Sequence, residues 1–264
     1  MNKLFLRHIV ITGTLLAVLL MVFSLTPLDL LVQDTFYNAN TQQWLWDKQE
    51  PWARLFFYDG IKAALVVLFL VLLTTLIISR FSTRLKPFRA GLLIVMSSMV
   101  LVPAAVSLLK ANTNMACPVN LLQYGGKVEH AALFASYPPG QSPASIQKCF
   151  PAGHASGGFA LLSLIFLMPT ARARQMALIG SLSLGWLMGG YKMAIGDHFL
   201  SHTLASMLLA WMIICTLAWR IYRYYEVPQW WQEYRQVPHK VDHYIQLPKQ
   251  VNAAIDLVPE KAEQ

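Results

Sequence analysis

The sequence predicts an all-α fold, a polytopic integral membrane bundle of six transmembrane helices. Of the 264 residues, 56% are hydrophobic and only 13% are charged, which is too little charge to cover a water-soluble surface. The hydrophobic residues are concentrated in six runs, and basic residues lie in alternate segments between them. We therefore expect one helical domain, residues 1–223, in a lipid bilayer, followed by a tail, residues 224–264.

Five apolar runs reach the length of about 17 to 25 residues that a membrane-spanning helix needs. They are residues 9–27, 61–78, 90–109, 176–195 and 200–219. A sixth run, 155–168, is shorter and spans only if its ends lie in the membrane interface. Lys3 and Arg7 precede the first run as in a signal peptide, but no A-x-A cleavage pattern follows, so we expect a retained helix.

Basic residues mark one side of this bundle. They are Lys3 and Arg7, then Arg80, Arg84, Lys86 and Arg89, then Arg172 and Arg174, and finally Arg220 and Arg223. By the positive-inside rule this side is cytoplasmic, and both termini lie there. Loops 28–60 and 110–153 then face the periplasm of a bacterial inner membrane. The net charge of +8 reflects this topology, so no nucleic-acid partner is expected.

The loops differ in composition. Loop 28–60 is rich in aromatic residues that suit the membrane interface: Trp44, Trp46, Trp52, Phe56, Phe57 and Tyr58. Loop 110–153 is rich in Asn, Gly, Pro and Ser, so it should be irregular and could shape or cover a substrate site. Prolines at roughly ten-residue intervals forbid a long helix in the tail; they are Pro228, Pro238, Pro248 and Pro259.

Two of the three cysteines, Cys117 and Cys149, fall in loop 110–153. In an oxidising periplasm they could form a disulfide that contributes on the order of 3 to 4 kcal/mol. Two free or buried thiols remain the alternative.

Three histidines lie at the predicted membrane edge. His198 and His202 are four residues apart at the start of an apolar run, which places both rings on one face of a helix, at a wet edge. His154 opens another apolar run. Each could be an ordinary interfacial residue. A zinc site is a further alternative, but the HExxH pattern needs a glutamate where this chain has Phe199, and no third ligand follows at helical spacing, so neither metal nor cofactor is expected.

Groups that attract anions accompany these histidines. Lys110 ends one run and Lys192 lies near the end of another, and each supplies a positive point charge for phosphate. The backbone N–H of Gly153 begins a helix and is aided by the helix dipole. Histidine can act as nucleophile or general acid near neutral pH. The sequence therefore predicts an anion pocket at the outer leaflet.

Three motifs carry a family resemblance. The stretch KANTNMACP begins at Lys110, PAGH ends at His154, and YKMAIGDHFLSH ends at His202. In order and spacing they resemble K-x6-R-P, P-S-G-H and S-R-x5-H-x3-D of the type 2 phosphatidic acid phosphatase superfamily. Among the departures from that pattern, Cys117, Ala152, Lys192 and His202 stand in place of arginine, serine, arginine and aspartate.

The resemblance implies a role for each matching residue. His198 would attack the phosphorus and become phosphohistidine, His154 would protonate the leaving group, and His202 would be the hydrogen-bond partner of His198. Lys110, Lys192 and the Gly153 amide would hold the phosphate oxygens without a metal. Lys127 or Lys62 could replace the charge lost at Cys117. Asp197 should point about 100° away from His198 on a helix, so it is not expected to replace the missing aspartate.

The resemblance also implies a substrate class. A phosphorylated membrane lipid would be the partner: undecaprenyl diphosphate, phosphatidylglycerol phosphate, phosphatidic acid or lipid A. The expected activity is phosphate release at the periplasmic face. Alternatives are a phosphotransferase, for example one acting onto lipid A, and a catalytically degenerate protein for lipid binding or transport.

Overall fold

The structure is a computed structural model that describes residues 2–140 and 142–228. The predicted tail lies largely outside the described residues, and so do its prolines at 238, 248 and 259.

The described chain is mainly helical. Its helices are α1 (Asn2–Leu25), α2 (Leu28–Asp34), α3 (Pro51–Arg54), α4 (Gly60–Ile78), α5 (Arg89–Ala111), α6 (Gly153–Ala160), α7 (Ala171–Ala194) and α8 (Leu200–Ile221). Two short strands, β1 (Tyr37–Asn38) and β2 (Gln43–Trp44), pair antiparallel between α2 and α3. A π-turn, Leu55–Asp59, joins α3 to α4, and a 3₁₀ segment, Leu161–Phe166, extends α6.

Four helical segments of the described chain are long and apolar enough to cross a membrane: Lys3–Leu25, Pro51–Ser79, Lys86–Ala111 and Leu200–Ile221. The second begins ten residues before the predicted run because the π-turn continues α3 into α4. The helix Gly153–Phe166 is apolar but shorter. Helix α7 is long, yet it carries Arg172, Arg174 and Lys192 and is not among the four. A helical membrane protein is thus confirmed, whereas spanning by α6 and α7 stays a prediction.

The helices that hold the predicted motifs pack on one another. Helix α8 contacts α1, α5 and α6, and α7 packs on α6. Two glycines allow close contact between α6 and α7, because a Cβ at Gly158 would lie 2.7 Å from the Cα of Gly185. By contrast, α4 exposes Val66, Val67 and Val71 by more than half of their surface, as suits a helix in contact with lipid.

Helix α2 supplies the N-terminal cap of α8. Phe199 at the N-cap has no side-chain acceptor, and instead Asp29 accepts the Ser201 N–H at 2.9 Å and the Ser201 hydroxyl. Nearby, the Gln33 side-chain amide donates to the Met193 carbonyl at 2.9 Å. Burial raises the pKa of the Asp29 carboxyl to about 6, against the lowering effect of the two Ser201 hydrogen bonds. Residues 28–34 are therefore tied to the turn between α7 and α8.

The raised pKa of Asp29 makes stability depend on pH. The folded state holds this proton more tightly than the unfolded state, so the contribution is fully present below pH 3.8 and is lost as the pH rises through about 6. Between about pH 4 and pH 7, the wild type should lose up to about 3 kcal/mol of stability relative to Asp29→Asn. Unfolding in detergent across this range measures the difference. Asp34→Asn is the control, since it replaces a carboxylate of the same helix and keeps a side-chain oxygen to accept from the Tyr124 hydroxyl. Parallel curves for wild type and Asp29→Asn would contradict the prediction.

Candidate active site

The three motif segments meet at one end of the bundle. The Ala152 N–H donates to the His202 carbonyl at 3.2 Å, and the Ser206 hydroxyl donates to the Ala152 carbonyl at 2.9 Å. The Val119 N–H donates to the Gly196 carbonyl at 2.9 Å. These bonds join the starts of α6 and α8, the turn after α7 and the loop after α5.

His198 and His202 contact each other, although not in the predicted way. Helix α8 begins at Leu200, so His198 lies in the preceding turn rather than on the helix face. The two Nδ1 atoms are nevertheless 3.3 Å apart. The expected wet edge is wrong, since His198 is 3% exposed and His202 is fully buried.

The contacts of the pair allow one assignment of the tautomers. The Nε2 of His202 lies 3.3 Å from the Met115 sulfur, which can only accept. With its proton on Nε2, His202 presents the Nδ1 lone pair to the Nδ1–H of His198, whose Nε2 then carries the free lone pair. Burial lowers the pKa of His198 well below 6.5, and the charges of His202 and the nearby lysines lower it further. In this assignment His198 is a neutral imidazole with a lone pair on Nε2.

The cysteine at the family's arginine position is part of a disulfide. Cys117 and Cys149 are bonded, with their Cα atoms 5.2 Å apart. The Cys149 Sγ lies 3.6 Å from the His198 Nδ1, so the disulfide packs against the histidine pair. Cys149, His198 and His202 each place one potential ligand atom within 4.8 Å of the others, but a disulfide sulfur has no thiolate to offer a metal.

Lys192 is paired with a carboxylate that the sequence argument set aside. Its Nζ lies 2.8 Å from one oxygen of Asp197, and the Nζ of Lys48 lies 2.8 Å from the other. The helical geometry assumed for Asp197 is wrong, because residues 195–199 form a turn. Burial would raise the pKa of Asp197, but hydrogen bonds from Lys192 and Lys48 outweigh it and lower the value. Lys48, Asp197 and Lys192 therefore form one ionised bridge.

His154 lies among aromatic and cationic groups. Its ring centroid is 4.6 Å from that of Tyr58, and the Nζ atoms of Lys192 and Lys62 lie 4.8 Å and 5.1 Å from the same Tyr58 ring. His154 is within electrostatic range of Lys192, Lys110 and Lys62. Its Nδ1 is buried and has no hydrogen-bond partner among the described residues. An unpaired ring nitrogen beside three lysines is available for a ligand.

Most of the remaining predicted phosphate-binding residues lie near this cluster, and Lys127 does not. Lys110 lies within electrostatic range of Asp197 and Lys192. A Cβ added at Gly153 would meet nothing within 4 Å, and the N-cap Ala152 offers no side-chain acceptor to the first amides of α6. Lys62 is brought close to His154, whereas Lys127 is exposed and no described contact of its side chain joins it to this cluster.

Sequence reasoning missed three contributors. Lys48 and Tyr58 belong to the aromatic segment that was interpreted as an anchor, and Asp29 lies in α2. A signal existed for Tyr58, because it precedes Lys62 by four residues and therefore shares a helix face with it. No local pattern indicates that Lys48 reaches Asp197, which is 149 residues away.

The site coincides with a region matched by a known family. The family model of the PAP2 superfamily matches residues 91–226, a segment that contains all three motifs. No curated protein and no solved structure was found to match the chain. Members of this superfamily are typically phosphatases and act on phosphorylated lipids in membranes. The match covers more than half of the chain, which therefore belongs to the PAP2 superfamily.

Proposed function

We propose that this protein is a metal-independent membrane lipid phosphatase that works through a phosphohistidine on His198. The observation that carries the proposal is the contact between the Nδ1 atoms of His198 and His202. It leaves the His198 Nε2 lone pair free, in a site of the PAP2 superfamily that also holds Lys110, Lys192 and His154.

The first step is an in-line displacement at phosphorus. The His198 Nε2 forms a bond to phosphorus while the bond from phosphorus to the lipid oxygen breaks, and His154 gives a proton to the departing oxygen. The negative charge of a bound phosphate favours the protonated form of His154 that this step requires. In the second step water attacks the phosphohistidine, His154 takes its proton, and inorganic phosphate leaves.

The cations neutralise the phosphate oxygens. Lys192 carries three N–H donors, so it can retain Asp197 and still reach a phosphate oxygen. Lys110 and Lys62 add two further positive charges, and the Gly153 amide adds a helix-start donor. Phosphoryl transfer needs mainly positioning and charge neutralisation, which these groups provide without a metal ion.

The basic clusters support a location for this chemistry. We infer that both termini are cytoplasmic and that the site opens to the periplasmic leaflet of a bacterial inner membrane. Lys110, His154 and the turn 195–199 then lie at that leaflet's headgroup level. The substrates that fit are lipid monophosphates and diphosphates: undecaprenyl diphosphate, phosphatidylglycerol phosphate, phosphatidic acid and lipid A.

Phosphate release by the purified full chain, measured in detergent over this lipid panel, tests the proposal. We expect at least one lipid to be hydrolysed, at a rate that EDTA leaves unchanged and that vanadate, a mimic of pentavalent phosphorus, suppresses. If His198 and His202 instead bound a catalytic zinc ion, EDTA would stop the reaction and added zinc would restore it. His198→Ala protein prepared identically controls for contaminating phosphatases.

A further inference from the structure

We propose that reduction of the Cys117–Cys149 disulfide creates an inhibitory Zn²⁺ site from Cys149, His198 and His202. The inference rests on the proposed function, because it concerns regulation of the same histidine pair. All three side chains are at least 97% buried. One ligand atom from each lies within 4.8 Å of the other two. Only the bond to Cys117 prevents Cys149 from presenting a thiolate to this cluster.

Two of the three separations between the donor atoms match tetrahedral zinc. With ordinary bond lengths, such an ion separates two imidazole nitrogens by about 3.3 Å and an imidazole nitrogen from a thiolate by about 3.6 Å. The His198 and His202 Nδ1 atoms are 3.3 Å apart, and the Cys149 Sγ is 3.6 Å from the His198 Nδ1. The remaining separation, between the Cys149 sulfur and the His202 Nδ1, adjusts on binding, because a sulfur released from Cys117 is free to move.

Burial also sets the direction of the redox step. Cys117 is partly exposed whereas Cys149 is fully buried. A thiolate of an external dithiol therefore attacks the Cys117 sulfur, the disulfide breaks, and Cys149 leaves as the thiolate beside the two histidines. The second thiol of the reductant then releases Cys117, so that the dithiol is oxidised and two protein thiols form.

Metal binding at this position disables the nucleophile. An ion bound to the Nδ1 of His198 takes the place of the proton shared with His202, and that proton is relocated to Nε2. The Nε2 then has no lone pair with which to attack phosphorus. His202 retains its Nε2–H toward Met115, so its Nδ1 stays available as a ligand. Oxidised protein is active without metal, and reduced protein is inhibited by zinc.

Cobalt binding tests the site without requiring any activity. The full chain is purified with Cys215→Ser, so that Cys149 is the relevant thiol, and its mass without reductant reports the disulfide. Co²⁺ then serves as the spectroscopic substitute for Zn²⁺. We expect Cys117→Ser, and the parent reduced by a phosphine, to bind about one ion per chain with a thiolate-to-cobalt charge-transfer band. The unreduced parent and Cys117→Ser/Cys149→Ser should lack this band.

Further variants and an activity assay decide the ligand set. His202→Ala in the Cys117→Ser protein should weaken binding by at least about 100-fold. Zn²⁺ should suppress phosphate release by Cys117→Ser and leave the unreduced parent unaffected. Absence of the band in both Cys117→Ser and the reduced parent would overturn the inference, and so would a band that survives His202→Ala. Lack of phosphate release by the metal-free parent would instead overturn the proposed function, and the cobalt results would stand separately.

Discussion

His198→Ala is expected to reduce phosphate release by at least about 1,000-fold, because it removes the proposed nucleophile. The Nδ1 of His198 contacts His202, and Lys110, Lys192 and His154 lie within electrostatic range of the ring, which supports Nε2 as the atom that would attack phosphorus. Steady-state release of phosphate from the best lipid of the panel measures the loss.

Burial of His198 calls for a second variant. Alanine leaves a cavity between His202 and Cys149, so part of its effect could arise from folding. His198→Asn keeps a donor near the former Nδ1 but has no nucleophilic nitrogen, and it should be equally inactive. His130→Ala is the matched control, since His130 lies in the loop after α5, half-buried against the Phe199 ring at 6.0 Å, outside the proposed machinery. Wild-type turnover by His198→Asn would refute the nucleophile assignment.

His154→Ala is expected to have a large effect that depends on the leaving group. As general acid, His154 should contribute about 100- to 10,000-fold for a lipid alkyl phosphate, whose alkoxide departs poorly. An aryl phosphate with an acidic phenol needs no protonation and should lose less than about tenfold. The unpaired, buried Nδ1 beside Tyr58 and Lys192 supports this role. Rates of phosphate release from the two substrates measure the difference.

The same two substrates provide the control. His198→Ala removes the nucleophile and should lose activity equally on both. If His154→Ala also loses equally on both, His154 holds the phosphate and does not donate a proton. The ratio of the two losses, rather than either loss alone, therefore decides its role.

Much of the fold could be predicted from local patterns, and the exceptions have physical causes. Apolar runs identified the helical membrane class because hydrocarbon excludes unpaired backbone groups. The place of α6 was harder to predict. It depends on close contact between Gly158 and Gly185, and hydropathy does not report such contacts.

In the candidate site, too, local patterns predicted some contacts and missed those between distant segments. Spacing alone predicted that His198 and His202 meet, and their Nδ1 atoms do meet. The prediction that both histidines lie on one helix face was wrong, because Gly196 adopts a φ of +75° and ends α7 before His198. Glycine just after a helix commonly signals such an end. That turn directs Asp197 to Lys192 and Lys48. The bridge to Lys48 joins segments 149 residues apart, and a one-dimensional pattern carries no information about it.

The cap that Asp29 places on α8 joins an early segment of the chain to a late one. Asp29 and Ser201 are 172 residues apart in the sequence, so the carboxylate emerges from the ribosome long before the serine that it will bind. Until α8 is made, Asp29 has no Ser201 to bind, and residues 195–199, which include His198, have no helix after them. Because chains are made from the N-terminus onward, the bond between Asp29 and Ser201 forms only after α8 has been made, and the same helix supplies His202 to the proposed pair.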